Sequence, residues 1–544
     1  MNTRQLQTDK NQKLYHALLG ILLVCALAMM MLLSYWACKY SYYGAVDGRT
    51  RGVLVGDKTW AHIAAFFAAS LCTMGIDKVL MKKDKSQQEK ICLCTLIVTS
   101  VIAFILGVFY VCKNPYYPVG DQINTTAFAA YCRDGNFIML SIGGYVGMYQ
   151  QQKGLAILYE ILFTLFGDFN YRPAKILHVV WWILTILAGY GFLKLNTDRP
   201  VFRMLYCVMM LGCFPLLFYL PYIYGDVLSI SFGIILFYGV AAYEHSGQKR
   251  YIALASFAAG LAVLARKNTW IVLVAVAVYV LLVSLRKKKV RYLMAGTAIL
   301  LTAALSVKAV DVIYEVRSGY PSGVGIPSIL WVAMGLQETE GRAGVYNRYQ
   351  QATFADCDCQ QELAAQQGKE YIRERLGEFS QDPGMAFDFF KNKLEGQWIE
   401  PMYAALESTE SFEEGAELSP VLESLYYGEL GNTIWKLTNY YQSILYLAGL
   451  MALVMLGILW WKKKEVPISL WLPWIAVFGG FLFSILWEAK SRYVFPYCVF
   501  MILYAPEGLY QMGLLLCKLP KLRKFKKSGH TQDKGEEASL RETA

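Results

Sequence analysis

The feature that most constrains this chain is a series of apolar runs, each near twenty residues long, separated by short polar turns. A helix of about 20 apolar residues crosses the hydrocarbon core of a bilayer, where no water is present to satisfy an open backbone group. Runs of this kind fall at 14–36, 60–81, 91–111, 176–194, 204–222, 227–243, 251–265, 270–285, 292–311, 436–460, 467–487 and 493–516. The chain is therefore expected to be an all-α polytopic membrane protein with about twelve spans. Only 17% of its 544 residues are charged, where a soluble protein carries about 25%. The first run is too long for a signal-peptide core and no small-residue cleavage site follows it, so it reads as an uncleaved span.

Charge orients the spans. The net charge is +11, but residues 312–435 hold 20 acidic and 8 basic residues, which leaves +23 on the rest. The basic residues sit in short turns: Lys82-Lys83-Asp84-Lys85, 199–203, Gln248-Lys249-Arg250, 286–291, Lys462-Lys463-Lys464 and the tail from Lys518. This is the positive-inside pattern of a multi-pass protein of the plasma membrane with both termini cytoplasmic, and it argues against nucleic-acid binding. The first outer loop, with Lys39, Arg49, Arg51 and Lys58, departs from the rule.

Two segments fix the parity. Residues 154–167 are apolar but short for a span and carry Glu160 midway; they read as a helix lying in the outer interface. Residues 251–285 as one helix would run about 52 Å, too long for a bilayer, so Arg266-Lys267-Asn268-Thr269 must be the turn of a hairpin. The expected organisation is two N-terminal spans (1–90), a membrane core (91–311) with an outer interfacial loop (112–175), an extracytoplasmic helical domain (312–435), C-terminal spans (436–517) and a basic, disordered tail (518–544). Helices are expected over 360–379 and 383–398, the second opening with proline.

With this topology the polar residues gather on one face. Asp121 and Gln122 follow the third span in Pro118-Val119-Gly120-Asp121-Gln122, and Asp226 follows the fifth in Tyr222-Ile223-Tyr224-Gly225-Asp226. Tyr145, Tyr149, Gln152 and Lys153 precede the interfacial helix; Arg266, Lys267 and Asn268 form the hairpin turn; Trp398 and Glu400 lie in the large loop; Glu488, Lys490 and Arg492 precede the last span. Carboxylates deprotonate an acceptor hydroxyl or amide, or hold a divalent cation, and arginine and lysine neutralise phosphate. Together they suit transfer of a sugar from a lipid-phosphate donor. Each residue also has a structural alternative: a turn-forming aspartate, a snorkelling cation, an Arg492–Glu488 pair on one helix face, or a loop docked by Trp398. His178 and His245, near span ends, read as structural, and the 13 cysteines as small hydrophobes; no zinc or disulfide spacing stands out.

In this order the residues resemble the GT-C superfamily of integral membrane glycosyltransferases, which includes protein O-mannosyltransferases and bacterial lipid A aminoarabinose transferases. The resemblance lies in Pro118 to Gln122, Gly144-Tyr145 with Tyr149 and Gln152-Lys153-Gly154-Leu155, Leu165-Phe166-Gly167 and Tyr224-Gly225-Asp226. It continues in Arg266-Lys267-Asn268, Gly325-Ile326-Pro327, Trp331, Met334-Gly335, Gly344-Val345-Tyr346-Asn347, Gln397-Trp398-Ile399-Glu400-Pro401, Glu488 and Arg492-Tyr493. It implies a GT-C-like bundle in which Asp121 is the catalytic acidic residue, Asp226 the second acidic position, and Arg266, Lys267 and Arg492 the donor-phosphate contacts. Gln122, Tyr145, Gln152, Lys153, Tyr224, Asn268, Trp398, Glu400 and Glu488 would complete the substrate site. The donor would be a polyprenyl-phosphate sugar and the acceptor a glycan, lipid or protein. Gln122 stands where protein O-mannosyltransferases show a second acidic residue, and the spans before residue 90 are additions to the family core.

The competing expectation is a transporter or lipid flippase, which would place ionisable groups near mid-membrane, where these spans have almost none. A non-catalytic scaffold would need neither aspartate. The acidic 312–435 segment suggests a neutral or cationic acceptor surface, although charge on a solvated loop also serves solubility.

Overall fold

The computed structural model describes residues 3–43, 53–464 and 466–518. Arg49, Arg51 and the expected tail from 519 onward lie outside them. Among the described residues, nine helices are long and apolar enough to cross a membrane: Asn11–Lys39, Thr59–Leu80, Lys85–Lys113, Arg172–Asn196, Asp226–Ser246, Lys267–Lys287, Val290–Ser318, Glu429–Trp461 and Ile468–Leu486. A tenth span results if Ser491–Met501 and Ala505–Lys518, bent by 60°, count as one. The protein is thus an α-helical, membrane-embedded chain.

Two of the twelve expected spans take a different form. The 204–222 run is broken into Pro200–Leu211 and Phe214–Phe218. The chain leaves the helix at Gly212 and Cys213, and Pro215, which has no amide hydrogen to donate back to the first helix, sits in the first turn of the second. The 251–265 run is the helix Lys249–Ala265, whose 17 residues rise only about 25 Å. It ends where Arg266 turns to extended backbone, with φ −149° and ψ 123°, and Trp270–Lys287 completes the expected hairpin. The short apolar segment at 154–167 is a separate helix, Lys153–Phe166.

Asp226–Ser246 is the most enclosed span, packed between Arg172–Asn196 and Lys249–Ala265. Gly225 permits this at its start. A Cβ there would stand 2.0 Å from the Ala265 carbonyl oxygen, so any other residue would push Asp226 away from Arg266. At the opposite end of the bundle, ion pairs knit the basic turns together: Arg203–Glu89 at 2.6 Å, Arg199–Asp77 at 3.2 Å and Lys287–Glu244 at 2.9 Å.

The acidic segment is helical, as expected. Gln361–Gln381 and Pro383–Trp398 match the two expected helices. Asp382 caps the second by accepting the Met385 amide at 2.9 Å, with Pro383 in its first turn. The segment also contains a small antiparallel pair, Glu338–Thr339 with Arg342–Ala343. A second hairpin, Tyr40–Tyr43 with Val53–Gly56, links the first two spans. All thirteen cysteines are unpaired.

Candidate active site

The cleft forms where segments from distant parts of the chain meet at one end of the bundle. It encloses about 970 Å³ and is lined by Asp121, Tyr145, Tyr149, Gln152, Tyr224, Glu400, Glu488 and Arg492, together with residues of the acidic segment and of the first hairpin. Sequence alone places these eight side chains more than 370 positions apart at the extremes; the fold brings them to one wall system.

Asp121 opens the helix Asp121–Arg133. Gly120 sets it there with φ +58° and ψ −126°, a combination only glycine adopts without strain. The Asp121 carboxylate therefore sits in the first helical turn, where the helix dipole favours negative charge. It is exposed to the cleft and accepts the Tyr145 phenol at 2.8 Å. From Tyr145 an aromatic wall runs through Tyr149, with ring centres 5.1 Å apart, to Trp331 at 6.1 Å, which stacks on Trp487 at 5.9 Å and 3°.

Asp226 is not in the cleft. It is 3% exposed and lies behind two arginines, 3.4 Å from Arg266 and 3.9 Å from Arg492. Arg492 also donates to the Tyr222 phenol. The Tyr224 and Tyr493 rings each flank both guanidinium groups, at 5.0 to 5.6 Å, and Gln152 donates to the Tyr224 hydroxyl at 2.5 Å. Asp226 is the buried counter-charge that holds two cations at the cleft floor. Arg492 faces the cleft itself, while Arg266, Lys267 and Asn268 line an adjoining cavity of about 90 Å³ that also touches Arg492.

The second carboxylate in the cleft is Glu488. It is 6% exposed and 3.5 Å from the Tyr493 hydroxyl. Burial pushes it up to about 7; Lys490 opposes the shift and the Asp121 charge adds to it. Two carboxyl groups of unlike environment, one exposed and one buried, are the arrangement that separates acid from base roles. Deeper in the cleft, burial and the neighbouring Glu407 push Glu400 up to about 8, and burial pushes Glu407 to about 7. Burial pulls the Lys393 ammonium down to about 7, against the attraction of Glu488.

Three residues expected in the substrate site lie elsewhere. Gln122 is buried and accepts the Tyr116 phenol, away from the cleft, because one step along a helix turns its side chain about 100° from Asp121. Lys153 pairs with Asp311 at 2.5 Å and Ser322 at 2.8 Å, lining a separate cavity of about 270 Å³. Trp398 is fully buried and donates to Ser484 Oγ at 3.0 Å, while Gln397 donates to the Ser484 carbonyl at 3.1 Å. These two contacts seat the acidic segment on the Leu472–Leu486 helix. Glu400 is part of the same joint, accepting the amides of Met402 at 2.8 Å and Ala404 at 2.6 Å, yet it also lines the cleft. His178 is structural, as expected, its Nδ1 2.9 Å from the Leu220 carbonyl.

Further lining residues, not singled out in the sequence, include Lys393, Arg342, Arg348 and Glu407, and Tyr42 of the first hairpin; Tyr346, part of the Gly344 to Asn347 motif, lines it too. One signal was present: Asn392-Lys393 and Gly396-Gln397 recur at four-residue spacing, a polar stripe on one face of the Pro383–Trp398 helix, with Glu400 just past its end. Among the described residues, no group of three or more His, Cys, Asp or Glu is placed to hold a metal ion. No family model, curated protein or solved structure matches the chain.

Proposed function

We propose that the protein is a membrane glycosyltransferase of GT-C type, moving a sugar from a polyprenyl-phosphate donor to a cell-envelope acceptor at the outer face of the cytoplasmic membrane. The observation that carries this reading is the meeting of Asp121, Glu488 and Arg492 in one cleft at one end of a helical bundle. A lipid tail stays in the bilayer while its phosphate meets Arg492, with Arg266 and Lys267 in the adjoining cavity. Arginine suits phosphate because its planar fork donates two parallel hydrogen bonds. The aromatic wall offers the flat apolar surface on which a sugar ring packs.

In the proposed step an acceptor hydroxyl oxygen attacks the anomeric carbon. The new carbon–oxygen bond forms as the anomeric carbon–phosphate oxygen bond breaks, and the electron pair leaves with polyprenyl phosphate. Asp121, oriented by Tyr145, takes the acceptor proton. Arg492 neutralises the charge that develops on the leaving phosphate. Asp226 acts only through the arginines it holds.

The test is reconstitution of the full chain in nanodiscs with polyprenyl-phosphate sugars, following sugar transfer and polyprenyl-phosphate release. Asp121→Asn should abolish both while the protein still folds. Full turnover in that variant would sink the assignment.

A further inference from the structure

The 312–435 segment carries 20 acidic and 8 basic residues, yet its charges are sorted at the cleft. Three of its eight cations line the wall: Arg342, Arg348 and Lys393. Of its twenty acids only Glu395, Glu400 and Glu407 do so, and all three are shifted toward the neutral form by burial. An acidic surface that turns its scarce cations inward has concentrated positive potential in one place.

The cation wall is held in shape. Gly344 donates its amide to the Gln337 carbonyl at 2.7 Å and accepts the Ala489 amide at 2.7 Å. Asn347 Nδ2 donates to Gln337 Oε1 at 2.7 Å and to Thr339 at 3.0 Å. Lys393 packs its stem against Gly344, where a Cβ would meet Lys393 Cε at 2.7 Å, and its Nζ donates to the Gly335 carbonyl, so it braces the wall. Arg342 has a single weak ion pair, 3.6 Å from the exposed Glu340, and its Nη1 has no hydrogen-bond partner. Arg348 stands at the start of Tyr349–Asp356 in left-handed backbone, φ +67°, beside Tyr346. The first hairpin closes this side: the Tyr42 amide donates to the Ile399 carbonyl at 3.0 Å, and Tyr42 lines the cleft beside Arg342.

We infer that this wall is a second anion subsite, built by Arg342 and Arg348, with Lys393 packed behind them, that holds a phosphate or carboxylate group of the acceptor. The acceptor is then anionic, opposite to what the overall charge of the acidic segment suggests. The identification of the anion with the acceptor rests on the glycosyltransferase reading, in which Arg492, Arg266 and Lys267 hold the donor phosphate. The anion subsite itself does not.

The experiment titrates the full chain in phosphatidylcholine nanodiscs with inorganic phosphate and, separately, with glucuronate, by calorimetry. Polyprenyl phosphate is present in the disc to occupy the donor cations. The wild type should bind one equivalent of at least one probe. Arg342→Ala with Arg348→Ala should weaken that binding at least about tenfold, the loss of a charge-assisted contact, and Arg342→Lys with Arg348→Lys should restore much of it. Phosphate binding alone points to a phosphorylated acceptor, and glucuronate binding alone to a carboxylated one; both support the subsite. No binding of either probe, or binding that Arg492→Ala or polyprenyl phosphate removes while the double variant leaves it, would overturn the inference. Anion binding without Asp121-dependent transfer would refute the proposed reaction and leave the subsite standing.

Discussion

Arg266 reaches Asp226 Oδ2 at 3.4 Å in a place where the aspartate is 3% exposed. The pair converts an apparent second catalytic acid into a buried support for two cations. Removing the charge of one member of a buried pair costs about 3–5 kcal/mol, because the other is left uncompensated. Asp226→Asn should therefore lower the melting temperature in nanodiscs and raise the donor KM at least about tenfold, a loss of about 1.4 kcal/mol, with a smaller fall in kcat. An unchanged melting temperature with a collapse of kcat matching that of Asp121→Asn would return Asp226 to the chemistry.

Tyr145 donates to Asp121 at 2.8 Å and touches the aromatic wall at Tyr149. A hydrogen bond to a charged group contributes about 1.5–3 kcal/mol. Tyr145→Phe keeps the ring and removes the donor, so kcat for transfer should fall about tenfold or more, while donor KM and melting temperature stay close to wild type. A rate equal to wild type would mean that Asp121 needs no orientation from this phenol.

Trp398 separates docking from binding. Its indole is fully buried and bonded to Ser484. Trp398→Phe should cost about 1 kcal/mol of stability through the lost hydrogen bond, and Trp398→Ala about 3–5 kcal/mol through the cavity. The activity of the molecules that remain folded should show unchanged donor and acceptor KM in the phenylalanine variant. A selective rise in either KM, at unchanged stability, would place Trp398 at the substrate.

Much of this was legible from the sequence, and for one reason. Lipid imposes a length and a polarity on every span, so the apolar runs, the 266–269 turn and the helices at Gln361–Gln381 and Pro383–Trp398 could be read directly. The broken 204–222 run was not, because Pro215 acts through local backbone geometry rather than hydropathy. Asp121, Tyr145, Glu488 and Arg492 were legible because polar groups at span ends are few. Their neighbours Arg342 and Arg348 were not, since within a solvated segment a charge at the surface and a charge in a cleft look alike in sequence. The direction of a helical side chain decided the remaining differences: Gln122, one residue from Asp121, faces Tyr116 instead of the cleft.

The buried charges of the cleft predict an unusual dependence of stability on pH. Glu400 is held at about 8 and Glu407 and Glu488 at about 7, against 4.5 for a free glutamate. Between pH 4.5 and these values the unfolded chain has released protons that the folded chain retains, so stability falls as pH rises through this window and levels off above about 8. Lys393 acts in the opposite sense: it is held at about 7 against 10.5. The unfolded chain binds the extra proton between pH 7 and 10.5, so this term raises stability as pH increases there. The melting temperature in nanodiscs should therefore decline from pH 5 toward 7 to 8 and recover in part toward pH 10. Glu400→Gln removes one group from the acid-side decline and should flatten it between pH 5 and 8, and Lys393→Met should abolish the recovery above pH 7. A wild-type profile that rises steadily from pH 5 to 8, or one that neither variant changes, would show that these side chains are ionised in the folded protein and that water reaches them.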